Sequence, residues 1–418
     1  MTAPPADKLV ILGSGITALA VSRCARRLGL QPVVFDTTAE LAASSRFVDT
    51  EIHPEPWRES ILARLLHLGE RGRSLLICTA DAWLQFLILH RPQLESAYAR
   101  ILHPPSEVLS LCLDKGRFAD WCERNGLPAP RRFHLDDPAQ AGADDLPFPL
   151  MVRPAETLHS TADSGAIKAV EVRTREALDL QLKQLTRANR QAVLCESLLG
   201  RPLVQHSVGF ARHGSSILTV VARKVRPLPE ACGPGTFVET AENFAVEALA
   251  RQVALLLDYQ GIGEIEILED TRSGEYFLIE VNPRPWLQFG LGAATGRDLL
   301  GLVTRNESQC DSSLATARWL DLRGDLRTCF RRPGGLIPTH RLGLWAWLRS
   351  IASVNVFARW SACDQAPFWH EILDMLRGMR NRNAPGHGTT PAGGSGSPRR
   401  SRSWRQPGAG WRSWSGSE

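Results

Sequence analysis

The sequence predicts an α/β protein in which an N-terminal parallel sheet is followed by a region of hairpins and helices. Two observations predict this architecture: a strand-helix-strand opening with a glycine turn, and a later series of short strand patterns that alternate with amphipathic helices. The 418 residues correspond to about two to three domains of roughly 150 residues. A third observation, the Gly-, Ser-, Pro- and Arg-rich composition after residue 384, predicts a disordered basic tail.

The first elements form a βαβ unit. The apolar run KLVILG predicts a strand, GSGITALAVSRCARRLG shows helical periodicity, and PVVFD predicts a second strand. The segment SLLICTAD predicts a third strand that ends at Asp81. Because open parallel sheets bind ligands at the carboxyl edge of their strands, we expect Asp36, Arg46 and Asp81 to help shape an acceptor pocket.

The turn of this unit leaves a second function open. Gly13 and Gly15, with Ala18 in the third small position, form a GxGxxA turn that leaves helix N–H groups free to hold an anion. Asp36 ends the second strand, where a dinucleotide site places a ribose-binding acid. The pattern fits an NAD- or FAD-dependent oxidoreductase, but the same glycines also serve simply to pack a helix closely on a strand.

The middle of the chain alternates helices and strands. A helix from about Gly116 to Asn125 ends in NGLPAP, whose glycine and prolines stop it. A strand is predicted for FPLMVRP, paired with a second strand in AIKAVEV. A capped helix is predicted for TREALDLQLKQLTRA, and two further strands for AVLCESLL and SILTVVARKV. A helix from about Asn243 to Leu257 and the hairpin GEIEILEDTRSGEYFLIEVNPRPW follow. From Leu314 to Gly378 the pattern is mostly helical and rich in Trp and Arg.

Composition excludes several classes of protein. Hydrophobic residues make up 43% of the chain and charged residues 22%, which excludes collagen-like, wholly disordered and disulfide-scaffold proteins. The nine cysteines include no CxxC pair, which indicates reduced thiols in a core. No apolar run reaches the roughly 18 residues of a membrane-spanning helix, and the first residues lack a secretory signal pattern. We therefore expect a cytoplasmic protein without stable membrane insertion.

The net charge of +5 is concentrated at the end of the chain. Residues 384–418 contain five arginines and one glutamate, a local charge of +4, which leaves +1 for everything before them. The globular part is nearly neutral, so its charge gives no indication of a nucleic-acid partner. The Trp-rich segment Gly343 to Trp360 has arginines among apolar residues at helical spacing, which is typical of a core or subunit contact or of a helix resting on a membrane surface.

Acids and an amide share one face of the late hairpin. Side chains two apart on a strand point to the same side, so Glu280, Asn282 and Arg284 alternate together, as do Glu264 and Glu266 on the preceding strand. Carboxylate and amide oxygens are ligands that Mg²⁺ takes when it bridges nucleotide phosphates. The hairpin therefore predicts a magnesium site.

The register of this hairpin decides whether the acids meet. A five-residue loop from Thr271 to Glu275 places Glu266 opposite Glu280, whereas a four-residue loop shifts the pairing by one residue and sets the two acids on different faces. Facing carboxylates repel each other in a bare sheet, so such a pair needs a cation or a proton to persist.

The motifs EIEIL, LIEVNPRPW and GRDLL together resemble the metal-binding end of the ATP-grasp superfamily. Four upstream segments resemble further parts of that fold in order and spacing: LCLDKGRFADWCERNGLPAP, FPLMVRP, VLCESLLG and ARKVRPLPEACGPG. The resemblance runs from about residue 8 to 300 and is to carboxylate-amine ligases related to carbamoyl-phosphate synthase and D-aspartate ligase.

This resemblance implies a domain order. It implies a Rossmann-like domain at 1–103, a two-lobed ATP-grasp α+β domain at 104–305 and a helical C-terminal region at 306–383. The disordered basic tail that composition predicts would occupy 384–418. It also implies an ATP- and Mg²⁺-dependent carbon-nitrogen ligase, with Mn²⁺ as a possible substitute, that joins a small-molecule carboxylate to an amine through an acyl phosphate. A homo-oligomer is possible.

The resemblance also implies site residues. The metal ligands would be Glu266, Glu280 and Asn282. The catalytic cations would be Arg284, which stabilises the transferred group, with Lys224 or Arg226 on the phosphates. The nucleotide contacts would be Lys115 and Arg153 on phosphates, Glu196 and Leu198 at the adenine, and Gln205 at the ribose.

Two departures from the family pattern leave a third function open. Arg153 stands where these enzymes usually place a lysine, and the candidate cover loop from Leu158 to Gly165 is poor in glycine. These departures fit an ATP-binding regulator that kept the fold and lost catalysis.

Overall fold

A five-stranded parallel sheet forms the N-terminal part of the described chain, as predicted. The computed structural model describes residues 6–54, 58–69, 72–133, 146–155, 169–188, 190–228, 233–306, 314–331 and 334–373. The strands of this sheet are β1 (Lys8–Leu12), β2 (Gln31–Asp36), β3 (Asp49–Ile52), β4 (Ser74–Cys78) and β5 (Arg100–Ile101), in the order β3-β2-β1-β4-β5. Its helices are α1 (Ile16–Arg27), α2 (Arg58–Leu68) and α3 (Asp81–Ala97).

The third predicted strand is shorter than the sequence pattern suggested. β4 ends at Cys78, and Asp81 begins α3, so this acid still lies at the carboxyl edge of the sheet. Gly13, at the end of β1, has φ +107° and a Cβ there would lie 2.6 Å from Thr79 Oγ1. The glycine is therefore required by the turn and by its close approach to the neighbouring strand end.

A small antiparallel sheet follows two connecting helices. The helices α4 (Ser106–Leu113) and α5 (Lys115–Arg124) lead to β6 (Arg132–Phe133), β7 (Leu150–Pro154), β8 (Val170–Val172) and β9 (Ala192–Glu196), with α6 (Arg175–Arg187) before β9. The strand order among the described residues is β6-β9-β7-β8. β7 and β8 pair antiparallel, which confirms the predicted hairpin, and Thr174 caps α6 by accepting from Ala177 N.

A larger sheet carries the predicted metal hairpin. Its described strands are β10 (Leu203–His213), β11 (Ser216–Pro227), β12 (Gly235–Thr240), β13 (Gly261–Asp270), β14 (Tyr276–Asn282), β15 (Arg318–Leu320) and β16 (Val356–Phe357). They lie in the order β14-β13-β10-β11-β12-β15-β16. The sequence pattern predicted β11, β13 and β14 but missed β10 and β12, since their partly polar runs lack clear alternation.

The C-terminal region is less helical than the sequence predicted. Its described helices are α10 (Leu322–Phe330), α11 (Leu344–Ala352) and a helical stretch at 366–373, and they follow α7 (Phe244–Leu256), α8 (Gly290–Ala294) and α9 (Leu299–Arg305). β15 and β16 extend the large sheet instead, β15 antiparallel to β12. No helix of the described chain is long and apolar enough to cross a membrane.

The segment after β14 is anchored by a tryptophan. Trp286 is fully buried and lies against Gly209 of β10, where a Cβ would come within 2.5 Å of the indole. The close approach fixes where the NPRPW segment leaves the sheet, and with it the positions of Asn282 and Arg284.

Candidate active site

A cavity of about 580 Å³ opens where the carboxyl edge of the N-terminal sheet meets the large sheet. Asp81 and the hydroxyl-bearing Thr17 and Thr79 line it from the N-terminal side. The rest of the charged lining comes from α5 and the large sheet: Lys115, Lys224, Glu264, Glu266, Glu280 and Arg284. Three carboxylates thus share one cavity wall with three cations.

The predicted pairing of the acids is present. Glu266 lies opposite Glu280 and Glu264 lies opposite Asn282 in the antiparallel pair β13–β14. All four side chains are on one face, since cross-strand partners share a face.

The turn of this hairpin takes the shorter of the two loops that the sequence left open. Asp270 N donates to Glu275 O at 2.9 Å, so the turn closes in the tighter register. That register alone would put Glu266 and Glu280 on different faces. A register shift follows, in which Ile267 pairs with Leu278 and Glu266 with Glu280, leaving Ile279 as an extra residue. This β-bulge restores the facing pair.

Each of the two facing acids forms a salt bridge with a lysine. Lys115, the first residue of α5, places Nζ 3.2 Å from Glu280 Oε2. Lys224 of β11 is buried and places Nζ 2.7 Å from Glu266 Oε1. Ser207 of β10 donates to Glu264. The cations allow the facing carboxylates to persist side by side.

The pKa values of the two facing glutamates are shifted in opposite directions. Burial, opposed by Lys224, raises the pKa of Glu266 to about 7, and Glu264 and Glu280 add to the rise. Lys115 is the main cause that lowers the pKa of Glu280 to about 2, with help from Arg153. Burial alone would lower the pKa of Lys224, but Glu266 and the other acids raise it above its usual value.

The donor set fits a hard divalent cation. Asn282 donates from Nδ2 to Glu264 Oε2 at 3.2 Å and to Glu280 Oε1 at 3.3 Å, which leaves its carbonyl oxygen as an acceptor beside the carboxylates. These oxygens are the ligands that Mg²⁺ and Mn²⁺ prefer. No group of three or more His, Cys, Asp or Glu in the described ranges is arranged to hold a metal on its own.

Arg284 joins the two sides of the cavity. Its Nε lies 2.6 Å from Asp81 Oδ1, so the strand-end acid of the N-terminal sheet meets the cation after β14. Burial would lower the pKa of Arg284, but Asp81, Glu264 and Glu280 raise it above its usual value. Asp36 and Arg46, which were predicted to shape the same pocket as Asp81, do not line this cavity.

His103 holds the segment between Asn282 and Arg284. It is buried, accepts at Nε2 from Cys78 N at 2.7 Å and donates from Nδ1 to Pro283 O at 3.1 Å. Burial, with Arg91 adding to it, lowers the pKa of His103 to about 3. The neutral ring therefore ties β4 to the metal hairpin, a role that sequence pattern did not reveal.

Arg226 does not reach the cavity, contrary to its predicted role. β11 has a bulge at Val225, because Lys224 pairs with Val238 and Arg226 with Phe237. This shift turns Arg226 to the opposite face from Lys224. There its guanidinium is buried, with Nε 2.6 Å from Asp325 Oδ1, and the cation lies over the Phe237 ring.

The predicted nucleotide contacts lie on the small sheet and its exit. Arg153 lies on β7, and its buried Nε has no hydrogen-bond partner within the described residues. Glu196 ends β9 and accepts from Arg131 N at 2.8 Å and from Arg201 at 3.1 Å. Leu198 is buried and Gln205 lies on β10, outside the cavity wall. These nucleotide roles remain predictions, and the cover loop lies outside the described residues.

Known proteins of related sequence include two types of enzyme. The carbamoyl phosphate synthase large chain of Pyrococcus furiosus is 26% identical over 326 residues, which cover 72% of this chain and 30% of that relative. The D-aspartate ligase of Enterococcus faecium is 21% identical over 290 residues, covering 63% of this chain and 67% of the relative. No family model matches the sequence.

Solved structures identify the architecture. The ADP complex of N5-carboxyaminoimidazole ribonucleotide synthetase matches with a TM-score of 0.58 and 18% identity, covering 76% of this chain and 82% of that one. The chain has the ATP-grasp fold. The small and large sheets are its two lobes, and the resemblance inferred from the motifs is confirmed. The chain spans less than a third of the Pyrococcus relative, 30% of its length.

Proposed function

We propose that this protein is an ATP- and Mg²⁺-dependent ligase that joins a carboxylate to an amine through an acyl phosphate. The observation that carries the proposal is the cross-strand pairing of Glu266 with Glu280 and of Glu264 with Asn282, in a cavity that also holds Lys115 and Lys224. The names of the relatives, carbamoyl phosphate synthase and D-aspartate ligase, support the same class of reaction.

The reaction needs activation of the carboxylate. A carboxylate oxygen attacks the γ-phosphorus of ATP, ADP leaves, and the acyl phosphate forms; the amine then attacks the acyl carbon and phosphate leaves with the carboxylate oxygen. Phosphoryl transfer asks the protein chiefly for positioning and for neutralisation of charge. An inventory of cations and metal-binding oxygens is what such a reaction needs.

The side chains divide this work. Glu266, Glu280 and Asn282 would hold Mg²⁺, which neutralises charge on the transferred phosphoryl group when bound. Lys115, which pairs with Glu280, and Arg153 would bind phosphate oxygens of the nucleotide. Arg284, fixed by Asp81, would hold the anionic substrate at the junction of the two sheets.

The oxidoreductase alternative is less favoured by the contacts of Asp36. Its carboxylate accepts from Ser14 Oγ at 2.7 Å, from Thr37 N at 2.8 Å and from Trp83 Nε1 at 3.3 Å. These bonds use the oxygens that a ribose would need. We infer that the glycine turn serves to pack α1 closely on the sheet.

We also propose that the substrates are small molecules and that the protein is located in the cytoplasm.

Turnover tests the proposal. The full chain is incubated with Mg-ATP, candidate amino acids and hydroxylamine, and the release of ADP and phosphate and the formation of hydroxamate from the acyl phosphate are measured. We expect acid-dependent ADP release that falls by about a hundredfold or more in Glu280→Gln. Glu275→Gln, an exposed acid in the turn of the same hairpin, is the matched control and keeps native turnover.

Two results decide against the ligase. Tight Mg-ATP binding without turnover across a broad panel of acids and amines would assign the protein as an inactive ATP-binding regulator. Absence of any Mg-ATP binding, with a rise in melting temperature on adding NAD or FAD, would favour the oxidoreductase.

A further inference from the structure

Two C-terminal helices expose large apolar side chains. Trp345 is 79% exposed, and Leu344 and Leu348 are 47% and 42% exposed. The apolar residues of this surface, named here the α10–α11 face, are Leu326, Phe330, Leu344, Trp345 and Leu348. Exposed arginines accompany them on the same two helices and their connection: Arg327, Arg331, Arg341 and Arg349.

The inner side of α11 is already used by the fold. Trp347 is buried, donates from Nε1 to Asp325 Oδ2 at 2.8 Å, and packs its ring edge-on against Phe330. Leu344, Trp345 and Leu348 follow at spacings of one to four residues and share the other side of the helix. The exposed apolar side of α11 is therefore not part of the core, although core packing was one of the two expectations from sequence.

The surface is positive and contains no compensating acid in its own segment. No Asp or Glu occurs between Asp325 and Asp364 in the sequence. Asp325 itself is buried and paired with Arg226. Arg359, at the end of the segment, is taken by Glu371. The exposed charge of the α10–α11 face therefore comes from arginines.

Charge decides between the possible occupants. In a symmetric dimer this face would meet its own copy, which would set arginines against arginines and cost free energy. A nucleic acid would match the charge but would leave the leucines without an apolar partner. An anionic lipid surface satisfies both halves, because its headgroups attract arginine while Trp and Leu enter the headgroup and acyl boundary.

We propose that the α10–α11 face binds peripherally to membranes that contain anionic lipids. The proposal does not depend on the ligase reaction, since none of these residues lines the cavity. Binding would be reversible and would concentrate the protein at the membrane surface, with α11 lying in the plane of the interface.

Sedimentation with vesicles tests this surface. The full chain is mixed with phosphatidylcholine vesicles that contain or lack phosphatidylserine, at low and high salt. We expect binding to the phosphatidylserine vesicles only, weakened by salt. Trp345→Glu/Leu348→Glu should weaken binding by more than about tenfold, and Arg349→Gln by about fivefold. Phe244→Glu, at an aromatic residue of α7 that is 83% exposed, is the matched control and keeps native binding.

Three results would overturn the proposal. Undiminished vesicle binding by the Trp345→Glu/Leu348→Glu variant would assign binding to another part of the chain. If the protein binds heparin as tightly as it binds phosphatidylserine vesicles, and the Trp345→Glu/Leu348→Glu variant keeps that heparin binding, the arginines bind polyanions without any apolar contact. A concentration-dependent dimer that this variant abolishes without vesicles would assign the face to a second copy. Circular dichroism verifies folding, and Trp345→Ala replaces the double variant if that variant unfolds.

Discussion

At the scale of single residues, the central feature is a row of acids whose spacing could be read directly from the sequence. Glu264 and Glu266, and then Glu280 and Asn282, alternate at period two, and the structure places all four on one face. The side chains that support these acids were only partly predictable. Lys115 and Lys224 were predicted and do contact the acids. The contact of the neutral His103 with Pro283 was not predicted, because it joins residues 180 positions apart.

The buried neutral ring of His103 predicts a pH dependence of stability. Its pKa falls from 6.5 to about 3 on folding, so the unfolded chain binds a proton below pH 6.5 that the folded chain does not. Stability is therefore lost progressively as pH falls below 6.5. This single group should cost about 2 kcal/mol between pH 7 and pH 5.

Urea unfolding of the native protein and of His103→Gln at the two pH values measures this contribution. The native protein should lose about 2 kcal/mol more than the variant on going from pH 7 to pH 5. Equal losses in the two proteins would show that His103 is not held neutral by the fold.

At the scale of elements, two bulges decide which side chains reach the cavity. The extra residue Ile279 restores the pairing of Glu266 with Glu280, and the extra residue Val225 sends Arg226 away from Lys224. Period-two reasoning assumes regular strands, so with the four-residue turn it would put Glu266 and Glu280 on different faces. The phosphate role that the family resemblance implied for Arg226 likewise did not allow for the bulge before it. A one-residue irregularity leaves no mark in the alternation of side chains.

The close packing of β10 against the segment after β14 predicts that adding one methyl group at Gly209 weakens nucleotide binding. Gly209→Ala would place Cβ 2.5 Å from the buried Trp286 ring, so the indole must move and carry Asn282 and Arg284 with it. We expect Mg-nucleotide affinity to fall by about tenfold or more, measured by calorimetry. Gly343→Ala, where nothing lies within 4 Å, is the control. Native affinity in Gly209→Ala would contradict this role of Trp286.

The buried pair of Arg226 with Asp325 joins β11 to α10. Asp325→Ala leaves the Arg226 guanidinium buried without its carboxylate and removes the hydrogen-bond acceptor of Trp347. The free energy of unfolding, measured in urea, should therefore fall by about 3–5 kcal/mol. Arg226→Met/Asp325→Leu replaces the pair with apolar groups and should recover most of that loss. A single variant as stable as the native protein would show that the pair is dispensable.

At the scale of the whole molecule, the order of the sheets followed from motifs that lie far apart in sequence. The parallel sheet, the two lobes and the hairpin were predicted because each has a local signature, a glycine turn, a strand pair or an alternating row of acids. The strands β15 and β16 were missed, since three and two residues in a Trp-rich segment carry no periodicity of their own. Their positions come from pairing with β12 and with each other.

The central claim, that the facing acids bind a divalent cation together with a nucleotide, is tested most directly by electron paramagnetic resonance of Mn²⁺. The full chain is titrated with Mn²⁺ in the presence and absence of ADP, beside Glu266→Gln/Glu280→Gln and the control Glu275→Gln. We expect native protein and control to bind Mn²⁺ tightly only when ADP is present, and the double variant to lose that binding. Undiminished ADP-dependent binding of Mn²⁺ by the double variant would contradict the account.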